Sequence, residues 1–572
     1  MSAPEKTPRF VVGIDLGTTH TVVAYAPIDP RRKKTAPEPV VFEVPQLTAA
    51  RELEALPLLA SCLYAPVAGE VSGDPDWVVG DLARRRGGEV TSRFVASAKS
   101  WLSHGAVDRA APILPWGATE EGAPKISPVE ASTRVLAHVR DAWDRAHPDA
   151  PLAEQDLVIT LPASFDEVAR ELTLQAAQAA GLSPSLLEEP TAAFYDAMRD
   201  VDAIREHLGP SGEERTVLVV DVGGGTTDLS LMAIAFAPKS QGGFAVRRVA
   251  VGRHILLGGD NMDLALAHLA EPRVAPPPSR LDPIELSQLV LSCREAKERI
   301  LSGKAREARV TVLGRGSKLV GGARGTALTR EEVEQVVLGG FFPADVELGP
   351  RPRGGIVAFG LPYERDPAIT RHVRQFLARH EGELPRGGPD VVLLNGGVFH
   401  AKPIVKALRE ALGRMSGKKP AMLESSDPDL AVALGAVRYG FARRGVGVRV
   451  ESGASHGYYV AVAPEGGGVM RAVCILPRGA KEGARHVAEG RTFELVVGRS
   501  VRFDLYASDV ARDEAGAVVA VDAREGQGEE IYERLPPVVA RLPATENEGA
   551  VRVQLGGELV PTGQLELSCE EM

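Results

Sequence analysis

Short apolar runs alternate with longer helical stretches over the first two-thirds of the chain. "LVITLP" (157–162) predicts a buried strand ended by proline, and "DEVARELTLQAAQAAG" (166–181) an Ala-rich helix stopped by glycine. "VVLLNGG" (391–397) and "PIVKALREALG" (403–413) continue the alternation, with Pro403 at a first helical position. One pattern occurs twice. "VVGIDLGTTHTVVAY" (11–25) and "VLVVDVGGGTTDLSL" (217–231) are each an apolar run broken by one Asp, then small residues and paired threonines, then a second apolar-alternating run. "APPPSR" (275–280) and "PRPRGG" (350–355) read as loops between subdomains.

Beyond about residue 445 the period changes. "HGYYVAVAP", "RTFELVVG", "SVRFDLYAS", "AVVAVDA", "AVRVQLGG" and "GQLELSCE" are short segments separated by Gly, Pro and Asp. Val501, Phe503 and Leu505 fall on one face of a strand and Arg502 and Asp504 on the other. The expected organisation is an α/β region over 1–444, a Gly-rich polar linker at 445–453 and an all-β domain over 454–572. No long amphipathic helix is expected after the last strand.

At 572 residues the chain exceeds a single core. Its 66 basic and 76 acidic residues leave a net charge of −10, which argues against nucleic acid or an anionic membrane as main partner. The cysteines Cys62, Cys293, Cys474 and Cys569 are widely spaced, which suits a reducing compartment and excludes a structural zinc site. With no apolar leader and no long apolar span, the expected location is cytoplasmic.

The doubled stretch carries the chemistry. A strand delivers Asp15 to its C-terminal end, Gly17 lets a phosphate approach backbone N–H groups, and Thr18 and Thr19 add hydroxyl donors. A carboxylate beside a phosphate repels it unless a hard cation intervenes, so the combination implies Mg²⁺. The second copy supplies Asp221, Gly223, Gly224, Gly225, Thr226, Thr227 and Asp228. Two such turns facing each other would clamp one nucleotide from both sides. Two unrelated hairpins are the plainer alternative, and no GxxxxGK[ST] motif competes.

"GIDLGTTHTVVA", "ITLPASFDEVAR", "EEPTAAFYDAM", "VVDVGGGTTDLSL", "LLGGDNMD", "CREAKERILS", "VVLLNGG" and "DPDLAVALGA" occur in the order found in the 70-kilodalton heat-shock (DnaK-type) chaperones, and together they span residues 10 to about 444. The chain resembles that family and, more widely, the actin-like ATPases. The resemblance implies a two-lobed actin-like, duplicated ribonuclease-H-like ATPase domain. Lobe I would cover about 1–214, lobe II about 215–425, with a closing helix to 444, followed by a small β-sandwich-like substrate domain.

It also implies roles. Asp15, Asp221 and Asp228 match carboxylates around Mg²⁺, held mostly through water, and Thr18, Thr19 and Thr226 match phosphate contacts. Glu189 matches the carboxylate that orients the attacking water, although Glu-Pro-Thr alone reads as a helix start. Its neighbour Glu188 is expected as a capping or solvent residue. Lys99 matches the lysine reaching the γ-phosphate, whereas a lone Lys on a helix is ordinarily solvated. Gly258, Gly259, Gly396 and Gly397 fit close backbone approach to ATP or ADP, Lys297 a residue near adenine, and Asp429 a closing acidic residue. Pro162 and Arg170 match a relay to the outer face of the lobe.

The pattern departs from the family in places. Val398 and His400 in "GGVFH" (396–400) replace a serine and the arginine that packs on adenine. "GVGVRVESG" replaces an acidic-hydrophobic linker, and Ser185 stands where a basic residue for a J-domain co-chaperone is common. The function expected is a slow Mg-ATPase chaperone binding extended peptide or protein clients. Co-chaperone or nucleotide-exchange partners are implied, the J-domain partner being in question. A nucleotide-sensing scaffold of the same fold is the alternative; a sugar kinase or a filament former does not explain the β domain.

Overall fold

The structure, a computed structural model, describes residues 7–29, 31, 36–118, 123–207, 213–253, 255–312, 323–346, 361, 363–423, 426–451, 453–454, 456–462, 470–481, 483–496, 500–521, 524–525, 529–541, 550–560 and 565–571. The loop expected at 350–355 lies outside them.

Two sheets of matching topology form the first part. In the first, strand β1 (Phe10–Leu16) pairs antiparallel with β2 (His20–Pro27) and parallel with β3 (Asp156–Leu161), which pairs parallel with β4 (Ser185–Glu188). In the second, β5 (Arg215–Val222) pairs antiparallel with β6 (Thr227–Phe236), which continues to β7 (Phe244–Val251). On its other side β5 pairs parallel with β8 (Val391–Asn395), then β9 (Ala421–Leu423). The β1/β2 and β5/β6 hairpins thus occupy the same place in each sheet, and both are the repeated stretches of the sequence. Their strands are buried on both faces, which explains apolar runs rather than alternation: Val11, Val12 and Ile14 are fully buried, as are Leu218, Val219 and Val220.

Helices cover the sheets. Short helix α1 (Ala98–Leu102) carries Lys99. Helix α2 (Glu167–Ala179) follows β3 and is capped by Asp166, whose carboxylate accepts the Ala169 N–H at 2.7 Å. Helix α3 (Glu189–Ala197) starts with Pro at its second position directly after β4. Helix α4 (Gly259–Val274) and α5 (Pro283–Leu301) belong to the second half, as does α6 (Ile369–Arg379). Helix α7 (Ala431–Arg443) crosses α3 so closely that a Cβ on Gly435 would lie 1.8 Å from the Ala192 carbonyl oxygen. Ala433, Val437 and Phe441 of α7 also pack on Val11 and Val22 of the first sheet.

The segment expected as a linker carries a strand. β10 (Val450–Glu451) adds parallel to the edge of β7, with Val246 opposite Val450. Beyond it, β11 (Gly457–Val462), β12 (Arg471–Leu476), β13 (Phe493–Val496), β14 (Ser500–Ser508), β15 (Val518–Ala520), β16 (Glu533–Arg541), β17 (Ala550–Leu559) and β18 (Leu565–Glu571) follow. Five form a sheet in the order β15–β12–β11–β14–β16; β17 pairs with β13, with β18 and with a short strand at His486–Val487. Tyr458, Ile475, Phe503 and Leu505 of the first sheet share one core with Val553 and Leu555 of the second.

This β region rests on the α/β region through polar contacts. Arg379 donates to both oxygens of Asp509, the shortest contact being 2.7 Å. The Tyr458 hydroxyl donates to Glu167 at 3.1 Å, and Arg478 donates to the Val249 carbonyl at 2.5 Å. None of the described helices is long and apolar enough to cross a membrane.

Candidate functional site

The two hairpin turns meet. A Cβ on Gly224 would fall 2.1 Å from the Thr19 hydroxyl oxygen, so only glycine allows the second turn to abut the first. Behind each turn the Asp is set by the same pairing. Asp15, at the end of β1, lies opposite Thr160 of β3, whose hydroxyl donates to it at 3.0 Å. Asp221, at the end of β5, lies opposite Asn395 of β8, whose side-chain amide donates to it at 3.0 Å. Asp228 accepts from the Ser164 hydroxyl at 2.6 Å, which bridges the second hairpin to the loop after β3.

Between them Lys99 forms an ion pair with Glu189, and both side chains are buried. Burial raises the Asp15 carboxyl to about 7, reinforced by the Glu189 charge and opposed by Lys99 and the Thr160 hydroxyl. Burial likewise pushes Asp221 well above the carboxylate range, with Glu189 and Asp228 adding to it. Burial raises Glu189 and Asp228 too, against the pull of Lys99 and, for Asp228, of Ser164. Burial disfavours the Lys99 charge, but Glu189 and Asp15 outweigh it and hold the ammonium above its ordinary range. Three buried carboxyls and the partly buried Asp15 thus stand around one ammonium, a crowding of acidic groups in a low-dielectric site. The carboxylates and threonine hydroxyls facing the cavity offer oxygen ligands. This set fits a hard divalent cation such as Mg²⁺.

A cavity of about 100 Å³ is lined by Asp15, Gly17, Thr18, Thr19, Lys99, Glu189, Asp221, Gly223, Gly224, Thr226, Gly396, Gly397 and Asp429. It runs into a larger one of about 560 Å³, which shares Thr19, His20, Gly223, Gly224, Gly397 and Asp429 and adds Gly259, Lys297, Arg294, Glu298, Val398, His400 and Ile404. Thirteen of the residues singled out in the sequence are therefore gathered in the smaller cavity, and Gly259 and Lys297 are in the larger. The remainder stand behind the walls. The Thr227 hydroxyl donates to the Leu257 carbonyl at 2.7 Å, and a Cβ on Gly258 would meet the Gly223 and Gly224 carbonyls. Gly225 packs on Thr18 and Ser100, and Asp228 is buried beside Ser164.

Several residues enter the site that sequence reasoning passed over. Asn395, Thr160 and Ser164 sit inside quoted motifs, but as neutral hydrogen-bonding groups at strand ends or, for Ser164, in the loop after β3, they give no signal of their own. His20 lines both cavities, and burial holds its imidazole down to about 4. The Lys297 ammonium is committed to Asp263 at 2.7 Å and to the Gly259 carbonyl at 3.2 Å. His400 hydrogen-bonds Asp429 at 2.8 Å across the mouth of the larger cavity. Glu188, expected as a capping or solvent group, is instead buried: it bonds Arg170 at 2.9 Å and pairs with Arg248. A buried carboxylate needs such partners, and the two arginines lie 18 and 60 residues away, where no local pattern reveals them.

A family model described as Hsp70 protein matches residues 71–338. A chaperone protein HscA homolog of Acidithiobacillus ferrooxidans is 30% identical over 421 residues, 71% of this chain and 60% of that protein. The chain belongs to the Hsp70 family. An HscA homolog of Bordetella petrii is 28% identical over 454 residues, covering 76% of this chain and 59% of its own length. HscA of Photorhabdus laumondii is 32% identical over 279 residues, 47% of this chain and 38% of its own. The chain thus spans about three-fifths of the length of the first two Hsp70 relatives.

Proposed function

We propose that this Hsp70 member is a Mg-ATP-dependent chaperone whose hydrolysis is coupled to holding an extended peptide or protein client. The observation that carries the reading is the buried Lys99–Glu189 pair set between Asp15 and Asp221 where two homologous hairpin turns meet. Thr18, Thr19, Gly223, Gly224 and Thr226 offer hydroxyls and backbone N–H groups to the phosphates. Asp15, Asp221 and Asp228, with Asn395 and Thr160 fixing two of them, would hold Mg²⁺, which supplies charge neutralisation at the phosphates when bound.

In this reading Glu189 orients the attacking water and accepts the proton that the water loses. Lys99 moves from Glu189 toward the transferring phosphoryl group and offsets its charge. The larger cavity takes the nucleoside, with the His400–Asp429 pair and Val398 where relatives place other groups. The domain reading stands on the same footing: residues 1–444 as the ATPase, 454–572 as the client-binding part, and the cytoplasm as the site of action.

The test is the dissociation rate of a fluorescent, extended apolar peptide from the purified chain, with ATP and with ADP. Faster release with ATP supports the coupled chaperone. Equal rates in both, or no peptide binding, favour a nucleotide-sensing scaffold of the same fold.

A further inference from the structure

Glu188 is the residue before Glu189, and it is held from two sides. Its Oε1 accepts from Arg170 of α2 at 2.9 Å, and its Oε2 pairs with Arg248 of β7. All three side chains are buried to within about a tenth of full exposure. The first guanidinium belongs to the first half of the α/β region and the second to the other half, so this one carboxylate ties the halves together directly under the start of α3.

Arg248 reaches further. Its Nη2 donates to the Gly453 carbonyl at 2.7 Å, in the connector between the α/β and β regions. The same connector is fixed by the parallel pairing of β10 on β7, and by the Val450 N–H, which donates to the Tyr195 hydroxyl at 2.9 Å. Tyr195 is on α3, whose first residue is Glu189. The connector is therefore fastened to α3 twice, once through Tyr195 and once through Arg248 and Glu188.

We infer that Glu188 is a positioning residue: attachment of the connector, read by Arg248, fixes Glu188 and with it the pose of Glu189 against Lys99. This rests on the proposed role of Glu189. With the connector detached, Arg248 loses its carbonyl partner and the Glu188 clamp loosens. The first turn of α3 then loses the anchor that orders the Glu189 carboxylate.

The test uses the full chain as wild type, Arg248→Met, Arg248→Lys and Tyr195→Phe. Steady-state ATP hydrolysis is measured for each, and amide hydrogen exchange is followed in nucleotide-free protein over 193–197 and the connector. Arg248→Met keeps the buried stem and removes the guanidinium. It is expected to lower kcat about tenfold with KM unchanged, as for a slightly misplaced catalytic group, and to lose protection in both segments. Arg248→Lys is expected to restore most of both. Tyr195→Phe, which leaves the clamp intact, is expected to deprotect the connector and to lower kcat less. Loss of protection confined to the connector, with 193–197 still protected and kcat unchanged, overturns the inference, as does a parallel rise in KM that accounts for the lost kcat/KM. A wild-type chain that turns over no ATP overturns the reading of Glu189 instead. The exchange pattern then decides the link by itself: joint deprotection upholds it, and deprotection of the connector alone overturns it.

Discussion

Asp15 is partly buried among other carboxyls, and its own carboxyl is raised from the ordinary 3.8 to about 7, chiefly through desolvation. The folded-state value lies above the unfolded one, so ionising Asp15 costs stability. That cost is absent below the unfolded value, grows as pH rises from there, and is complete above about 7. Without Mg²⁺ the chain is therefore expected to melt at a lower temperature at pH 8 than at pH 6, as far as this group decides it. Added Mg²⁺ should narrow the difference, because cation binding favours the ionised form. Asp15→Asn should raise the melting temperature of Mg²⁺-free protein at pH 8 while abolishing hydrolysis. Calorimetry at the two pH values, with and without Mg²⁺, checks both. A variant that melts no higher than wild type at pH 8 would remove this account of Asp15.

Among the elements, α7 crosses α3 with no space to spare and packs on the first sheet through Ala433, Val437 and Phe441. A methyl on Gly435 has no room against the Ala192 carbonyl, so Gly435→Ala must push the helices apart. Overpacking of this kind costs about 1–3 kcal/mol, to be read as a lower urea midpoint at unchanged slope. The elements themselves were largely legible. The repeated hairpins announced themselves because strands buried on both faces must be continuous apolar runs, and the Asp at each strand end stands out against them. Helix 167–179 was readable from its Ala-rich run and the glycine after it. Three features were not legible. The strand at Val450–Glu451 is two residues long within a Gly-rich stretch and exists because β7 offers it an edge. Glu188 reads as a capping or solvent residue because its partners Arg170 and Arg248 come from elements far away in sequence. Strand β16, with Pro536 and Pro537 inside it, also gave no strand signal, since proline fits only a sheet edge such as this one.

At the scale of the whole molecule, the β region is attached by charges that enclose two histidines. His380 and His456 both approach Asp509, which Arg379 holds in its ionised form; Arg478, Arg248 and Arg170 complete the surroundings of His456. Burial, aided by these guanidiniums and opposed by Asp509, holds each imidazole down to about 4. Detached, they would return toward the ordinary 6.5. Protons are thus taken up on detachment. Attachment keeps its full strength above the detached value and weakens as pH falls from there toward 4. Limited proteolysis of the connector should accordingly be faster at pH 5.5 than at pH 7.5. His456→Gln should flatten that dependence, and equal cleavage at the two pH values in wild type would show that these histidines do not govern attachment.

We propose the meeting point of the two hairpins as a phosphoryl-transfer site served by Lys99. Single-turnover hydrolysis of Mg-ATP by the full chain, wild type beside Lys99→Ala, tests it most directly. Both are expected to bind nucleotide with similar affinity, and the variant to be slower by on the order of 10²–10³, the usual effect of removing one preorganised donor. Hydrolysis at the wild-type rate by Lys99→Ala, or a wild type that binds no nucleotide, would contradict it.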